Sequence, residues 1–326
     1  FNKKIAETDC VGCGQCRVVC PTGAISIHTN IDEVWEALAD KNTKVIAQIA
    51  PAVRVAIGDN FGYAKGENVM GKLVGVLHRL GFDEVYDTSY GADLTVVEES
   101  KEFIERFTSG EKMPLFTSCC PAWSVMAKKL FPEYANCVSM ALTPMTLTAR
   151  LIKNHTPDAK VVFIGPCAAK KLEAMRRTVR SEVDFVLTFE EMSGIFAAKD
   201  LDLEAMHEDV DGVNDVSADG RNFAVSGGVA QAVVDVIKKE YPDKEIKVAN
   251  AEGLEECRKL MMLASKGKYN GYLLEGMACP GGCVAGAGTM QPIKKSQGAV
   301  KIYATKANHK VATETEYVKE LDKLVD

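Results

Sequence analysis

Long hydrophobic runs are missing from this sequence: no apolar stretch approaches the roughly 20 residues that a membrane-spanning helix needs. Long runs of lysine or arginine are missing too, and 39 basic against 45 acidic residues give a net charge of −6, which disfavours nucleic acid as a partner. The first seven residues contain no apolar signal region. We therefore expect a cytoplasmic protein that contacts neither membrane nor nucleic acid.

Cysteine is abundant by contrast, and its distribution is informative. Disulfide frameworks are typical of small secreted chains, whereas clustered thiols in an intracellular protein more often bind metal. Two isolated cysteines, Cys137 and Cys257, match no motif, and we expect them to be buried packing residues. The other nine of the eleven fall into local groups: Cys10, Cys13, Cys16 and Cys20; Cys119 and Cys120; Cys167; and Cys279 and Cys283.

Strand and helix patterns alternate along the chain, which predicts an α/β fold with mostly parallel sheets flanked by helices. We expect a small ferredoxin-like module over residues 1–30 and a main domain over 31–326, divided into two lobes at approximately 31–155 and 156–326. Three further segments have weaker patterns. We interpret 223–226 as a strand, the acidic stretch 204–220 as a surface loop and 314–325 as an amphipathic helix.

Three predicted strands run directly into cysteine motifs, in the sequences FTSCCP, FIGPC and LLEGMACPGGC. Ligands of parallel α/β sheets bind at the carboxyl ends of the strands. Convergence of these ends would bring four or five thiols to one point. Each motif alone could be an ordinary buried turn, but the three together predict a metal or cluster site.

The N-terminal run Cys10-x2-Cys13-x2-Cys16-x3-Cys20-Pro21 has the spacing of bacterial ferredoxins, which predicts a [4Fe-4S] cluster. Zinc is the rival metal, but zinc sites usually consist of two separated cysteine pairs. Either Cys20 completes this cluster, or it ligates a second cluster whose cysteines lie upstream. A start without methionine slightly favours the second alternative.

The three strand-end motifs resemble the signature motifs of the [FeFe]-hydrogenase family, in the same order, and the resemblance extends from the N-terminal run to the glycine-rich segment near residue 290. It implies an H-cluster, in which a [4Fe-4S] cubane shares one cysteine sulfur with a diiron unit that carries CO, cyanide and azadithiolate ligands. By the same resemblance Cys283 is the shared thiolate, and the cubane ligands are Cys120, Cys167, Cys279 and Cys283.

The resemblance also assigns residues around the diiron unit. Lys170 matches a lysine that hydrogen-bonds an iron-bound cyanide, which suits a buried cation that needs a partner. Met277 matches a residue that packs on the diiron unit. The implied cofactor-binding set is Pro51, Ala52, Ser118, Pro166, Lys170 and Met277.

A proton relay is implied as well. Cys119 matches a thiol that ligates no iron and passes protons to the cofactor, as a metal-free thiol can. Judged by residue type alone, Glu99 and Glu102 would lie on a solvated charged helix face. By resemblance they instead continue the relay with Ser139, and Arg106 lies near its outer end.

The implied reaction is the reversible conversion of protons and electrons to H2 in an anaerobic setting. Electrons would enter through the N-terminal cluster from a ferredoxin-like carrier, and maturation proteins would insert the diiron unit. Departures from the family pattern at Gly165, Ala52, 143–145 and 286–292 indicate a divergent branch, group B. Two alternatives are a low-turnover sensory hydrogenase and an iron–sulfur assembly protein that lacks the diiron unit.

Overall fold

A computed structural model describes residues 3–53, 63, 68–176, 179–202, 205–209 and 215–323 of the chain. The helices are α1 (Gln15–Val18), α2 (Ile31–Ala39), α3 (Met70–Leu80), α4 (Ser89–Ser109), α5 (Pro121–Leu130), α6 (Pro144–His155), α7 (Ala169–Ala174), α8 (Phe189–Ala198), α9 (Ala218–Asn222), α10 (Gly228–Glu240), α11 (Leu254–Ala264) and α12 (Ile293–Thr305). The strands are β1 (Val45–Ile49), β2 (Glu84–Asp87), β3 (Leu115–Phe116), β4 (Lys160–Ile164), β5 (Phe185–Leu187), β6 (Val248–Glu252) and β7 (Leu273–Met277).

Two parallel sheets organise these elements. The larger sheet has the order β2-β1-β4-β5, and all of its pairings are parallel. Every residue of its central strand β1 is buried, as expected for a strand covered by helices on both faces. The smaller sheet has the order β3-β7-β6, again entirely parallel. The predicted α/β class with parallel sheets is confirmed.

The two sheets do not follow the predicted division of the main domain at residue 155. Strand β4 lies beyond that boundary, yet it pairs with β1 from Val45 opposite Lys160 to Ile49 opposite Ile164. Conversely, β3 lies before the boundary and pairs with β7. Each sheet therefore combines strands from both halves, because parallel strands need long crossover connections and the chain crosses between the sheets.

The predicted strand over 223–226 is a turn between α9 and α10. Its apolar residues are buried, but they pair with the backbone at only isolated points: Val284 N–H donates to the Ala224 carbonyl at 3.2 Å, and Ser226 N–H donates to the Gly281 carbonyl at 3.3 Å. Burial thus comes from packing beneath the third cysteine motif. A short apolar run does not distinguish this environment from a strand.

Two further expectations need correction. Part of the acidic segment 204–220 lies outside the described residues, but its end is buried rather than on the surface, with Ser217 and Asp219 inside the protein. The tail forms short 3₁₀ segments, Ala312–Glu314 and Glu316–Lys323, in place of the predicted α-helix. Positions 324 and 325 of that prediction lie outside the described residues.

Candidate active site

The carboxyl ends of four strands converge on one internal cavity. From the larger sheet, β1 leads to Pro51 and β4 leads to Cys167; from the smaller sheet, β3 leads to Cys119 and β7 leads to Cys283. The cavity between them has a volume of about 60 Å³. The convergence predicted from the three cysteine motifs is therefore present, with the end of β1 as a fourth contributor.

Small or apolar side chains dominate the cavity wall, which makes the pocket dry, and Lys170 is its charged group. Of the cofactor-binding residues predicted from the sequence, five line it: Pro51, Ala52, Pro166, Lys170 and Met277. Ser118 does not. Its hydroxyl donates to the Ala141 carbonyl at 2.7 Å, and its backbone N–H donates to Glu99 at 3.0 Å, so Ser118 lies on the side of the acidic helix α4.

The four thiols predicted as cubane ligands lie close enough to influence one another. Burial raises the pKa of Cys167 to about 11, and the nearby Cys120 adds to the rise. Burial likewise raises the pKa of Cys279 and of Cys283, and Cys167 and Cys120 contribute to both. Four neighbouring thiols, of which Cys279 is buried and the other three are partly buried, need positive charge before they can ionise together.

An iron–sulfur cluster fits this donor set. Thiolate sulfur is the ligand that such clusters prefer, and the irons would supply the missing positive charge. Across the described ranges, no three histidine, cysteine or acidic side chains gather closely enough to hold a single metal ion.

Two glycines make the backbone at the third motif possible. Gly281 and Gly282 have φ angles of +95° and +93°, a region that side chains with Cβ rarely adopt. A Cβ on Gly282 would lie 2.6 Å from the Ser226 backbone nitrogen. The loop between Cys279 and Cys283 can therefore lie directly against the turn that follows α9.

Lys170 has protein partners that the sequence analysis did not identify. Its ammonium forms a 2.5 Å ion pair with Glu173 and lies 3.3 Å from the Thr143 hydroxyl and 3.4 Å from the Cys119 carbonyl. Burial alone would lower the pKa of Lys170, but Glu173 outweighs this effect and raises it. The lysine is therefore a permanent cation at the cavity wall. Its i,i+3 spacing to Glu173 was the available signal.

Cys119 is buried and lies between the cubane quartet and the acidic side chains of Glu99 and Glu275. Burial raises the pKa of its thiol well above the ordinary value, and the nearby carboxyl groups of Glu99 and Glu275 raise it further. The side chain therefore stays protonated as a neutral thiol. Because it lines the cavity and also lies near Glu99, it can exchange a proton with either side.

The residues predicted to continue the relay lie together. Burial raises the pKa of Glu99 to about 8, and the hydrogen bond from the Ser118 backbone N–H opposes the rise. The Ser139 side chain lies nearby. The Ser139 hydroxyl donates to Glu102 Oε2 at 2.6 Å. Glu102 in turn forms an ion pair with Arg106, whose guanidinium also donates to the Asn136 carbonyl at 3.0 Å. These four residues are therefore neighbours in the structure, and their role as a proton relay stays a prediction.

Glu275 is a buried carboxyl group that the sequence analysis missed, although an acidic residue inside an apolar strand was a visible signal. It accepts hydrogen bonds of 2.8 Å from the backbone N–H groups of Gly227 and Ala230, at the start of α10. Burial raises its pKa to about 7. This carboxyl group ties the third cysteine motif to helix α10.

The N-terminal cysteines form a second group. Burial raises the pKa of Cys13, and the charges of Cys10 and Cys16 contribute, so these three thiols are neighbours. The Cys20 thiol instead lies 3.6 Å from the Thr22 hydroxyl, and this hydrogen bond lowers its pKa to about 7. The segment contacts the main domain through Lys129, which donates to the carbonyls of Thr8 and Cys10.

Comparison with known proteins decides the family. A family model described as the C-terminal domain of the iron only hydrogenase large subunit matches residues 43–287, well over half of the 326 residues. The chain belongs to the iron-only hydrogenase family. The family predicted from the cysteine motifs is thus confirmed. A second model, described as a 4Fe-4S binding domain, matches residues 3–26, which supports iron–sulfur binding by this hydrogenase-family chain.

Individual relatives agree with this assignment. The chain is 35% identical to the NADP-reducing hydrogenase subunit HndD of Solidesulfovibrio fructosivorans, over 88% of this chain and 57% of that protein, so it spans little more than half of HndD. It is 33% identical to the periplasmic [Fe] hydrogenase large subunit of Nitratidesulfovibrio vulgaris, over 89% and 86% of the two chains. A solved variant of the [FeFe]-hydrogenase HydA1 from Chlamydomonas reinhardtii has a TM-score of 0.77 and 26% identity, over 91% and 94% of the chains.

The wider family also contains proteins with other names. The chain is 25% identical to cytosolic iron-sulfur assembly component 3 of Mus musculus, over 88% of this chain and 72% of that protein. Family membership alone therefore leaves both hydrogenase and assembly roles open. In the described part of this chain, no helix combines the length and the apolar character needed to cross a bilayer.

Proposed function

We propose that this chain is an [FeFe]-hydrogenase that interconverts protons, electrons and H2 at an H-cluster. The observation that carries the proposal is the position of Cys119. This buried, protonated thiol lines the cavity beside the cysteine quartet and also lies next to the carboxyl group that begins the path to the surface. A protein that only stored or transferred electrons would have no use for such a thiol.

The residues that would hold the cofactors follow from the site. Cys120, Cys167, Cys279 and Cys283 would ligate the cubane, with Cys283 shared by a diiron unit in the cavity that it lines. When bound, the N-terminal cluster would supply electrons and the H-cluster would supply the iron at which protons and H2 interconvert. The cavity walls, including Pro51, Ala52, Pro166 and Met277, exclude water from that position.

Lys170 would stabilise negative charge in the cavity. Its ammonium already touches Thr143 and pairs with Glu173, so it is oriented before any cofactor binds. A cyanide ligand on iron would offer the anionic partner on the cavity side. A preoriented buried cation avoids the cost of reorganising solvent around such a ligand.

Protons would move between the surface and Cys119 through the acidic helix α4. Arg106 fixes the Glu102 carboxylate, Glu102 accepts the hydrogen bond of Ser139, and Ser139 lies next to Glu99. With a pKa of about 8, Glu99 can bind and release a proton near neutral pH. Cys119 then holds the proton at the cavity wall.

The departures from the common family pattern support assignment to a divergent branch, group B. At Gly165 a Cβ would lie 2.5 Å from the Phe163 ring, which itself lines the cavity. The aromatic ring therefore occupies the space that a larger side chain at position 165 would need. Glycine at position 165, with the Phe163 ring filling the space beside it, changes the packing around the cofactor position. The four cysteines stay in place.

The electron partner would be a ferredoxin-like carrier that meets the N-terminal module, where Cys10 and Cys16 are exposed. Insertion of the diiron unit would require maturation proteins. All eleven cysteines are free thiols, which agrees with the proposed location in the reducing cytoplasm.

Two alternatives are a sensory hydrogenase with low turnover and an iron–sulfur assembly protein, the role that the name of the mouse relative indicates. An assembly protein would need no cation at the cavity wall and no proton path that ends at Cys119. Slow H2 evolution by a fully loaded protein would favour the sensory role.

The test is H2 evolution from reduced viologen by protein expressed with hydrogenase maturation factors, compared with Cys283→Ala. We expect turnover from the unaltered chain and none from the variant. A loaded protein that holds both its iron–sulfur clusters and the diiron unit, yet makes no H2, would contradict the proposal.

A further inference from the structure

A single side chain bridges the two cysteine groups. Gln15 lies between Cys13 and Cys16 in the N-terminal run, and its amide Nε2 donates to the Cys279 thiol at 3.1 Å and to the Ala285 carbonyl at 2.9 Å. A residue of the N-terminal run is thus hydrogen-bonded to a thiol of the second cysteine group and to the backbone beside that group.

The position of Gln15 is fixed by close packing on both sides. Gly14 has a φ angle of +76°, and a Cβ there would lie 2.8 Å from that of Ala168 and 2.9 Å from that of Ala287. The loop can approach the second and third cysteine motifs this closely only because residue 14 is glycine. Arg17 adds a 3.3 Å hydrogen bond to the Ala287 carbonyl and an ion pair with Glu190.

We propose that Gln15 is a positioning residue that couples the N-terminal cluster to the cubane and raises the cubane reduction potential through its hydrogen bond to Cys279. This inference rests on the proposed function, since it assumes that Cys279 ligates a cluster. A reduced cluster carries one more electron than an oxidised one. A hydrogen bond to its sulfur therefore stabilises the reduced form more and favours electron entry.

The decisive variant is Gln15→Met, which keeps an unbranched side chain of similar length and removes the donor. The full chain is reconstituted anaerobically with iron and sulfide alone, so that no H2 activity is needed. Redox titration followed by electron paramagnetic resonance then reports both clusters, and Cys13→Ala assigns the N-terminal signal. We expect reduction of the Cys279 cluster to become less favourable by up to about tenfold, which is about 59 mV for one electron.

Three further variants distinguish the effect of the Gln15 hydrogen bond on the potential from the effect of packing between the N-terminal run and the main domain. Gln15→Glu should shift the potential further in the same direction, because it removes the donor and adds negative charge. Gln297→Met is the matched control, since the Gln297 amide donates to the Gly281 carbonyl at 3.1 Å in the same motif and is not hydrogen-bonded to sulfur. Arg17→Lys weakens the docking contacts and keeps the positive charge. Both controls should leave the potential of the Cys279 cluster unchanged.

The outcomes are distinguishable. Two clusters per chain with the same potential in Gln15→Met as in the unaltered protein would overturn this proposal and leave the proposed function intact. An equal shift in Arg17→Lys would also overturn it, because docking alone would then set the potential. If the reconstituted, unaltered chain contains iron and sulfide for only one cubane, this result would contradict the proposed function and this proposal with it.

Discussion

The Ser139 hydroxyl donates a 2.6 Å hydrogen bond to Oε2 of Glu102. This bond connects the interior of the protein to a carboxylate near the surface, because Ser139 also lies next to the fully buried Glu99. Both acidic residues belong to helix α4, whereas Ser139 follows β3 along the chain. The proposed proton path therefore depends on a contact between separate elements of the fold.

Ser139→Ala should interrupt that path. We expect H2 turnover to fall by about 10²-fold, the lower range of what a positioned proton-transfer group contributes, with iron content unchanged. The matched control is Ser100→Ala on helix α4, because the Ser100 hydroxyl is buried and has no hydrogen-bond partner among the described residues. Equal turnover in the two variants would show that protons take another route.

Cys119→Ala should leave both clusters assembled and reduce turnover by about 10³-fold or more, since it removes the thiol that faces the cavity. Infrared spectra of the variant would show that the diiron unit is still bound. Cys257→Ala removes a buried thiol that bonds only to backbone carbonyls, and it should retain turnover. Substantial activity in Cys119→Ala would remove this thiol from the mechanism.

The Lys170–Glu173 pair should be sensitive to loss of one partner. Glu173→Gln leaves a buried ammonium without its counter-ion, so we expect a loss of about 3–5 kcal/mol in unfolding free energy, measured by urea denaturation of the cluster-free protein. The control is Glu256→Gln, which breaks the solvent-exposed pair with Lys259 at the same i,i+3 spacing. That change should cost less than about 1 kcal/mol. Similar losses in both variants would contradict the account of Lys170 as a buried cation.

Much of the fold was predictable because hydrophobic periodicity reports burial. The mostly apolar run Val45–Ile49 predicts a strand buried inside a parallel sheet, and the structure has this strand. The cysteine motifs after β3, β4 and β7 likewise predicted convergence, since parallel strands end at the same edge. Local patterns could not show that β4 pairs with β1 rather than with later strands, because pairing depends on long-range packing.

The polar residues whose contacts were not predicted from the sequence share one physical property. Asp93 and Ser217 lie 124 positions apart, yet the Ser217 hydroxyl donates to the Asp93 carboxyl group, so Ser217 is buried where the sequence predicted a surface loop. The half-buried Gln15 has a similarly distant partner in Cys279. A polar residue becomes a core residue only when a distant partner satisfies it. The sequence alone gives no sign of that partner.

Burial of Glu99 predicts a specific pH dependence of stability. Its pKa in the folded protein is about 8, whereas the ordinary value is 4.5. Between pH 4.5 and about pH 8, the folded protein therefore keeps a proton on Glu99 that the unfolded chain has released. The contribution of Glu99 to the free energy of unfolding is fully present below pH 4.5. It decreases by about 1.4 kcal/mol per pH unit as the pH rises through this range.

Urea unfolding of the cluster-free protein between pH 5.5 and 7.5 measures this slope. Glu99→Gln should reduce it by about one proton, because glutamine does not titrate. Glu105→Gln, on the exposed face of the same helix, should leave the slope unchanged. An unaltered slope in Glu99→Gln would mean that Glu99 does not hold a proton in the folded state.

Infrared spectroscopy of protein produced with hydrogenase maturation factors, together with iron quantification, tests the central claim most directly. Bound carbon monoxide and cyanide absorb in a region that is free of protein bands. We predict these bands in the unaltered chain and their loss in Cys283→Ala, with iron for the N-terminal cluster retained in both. Iron and sulfide for two cubanes without any such bands, under conditions that load a known hydrogenase, would contradict the account.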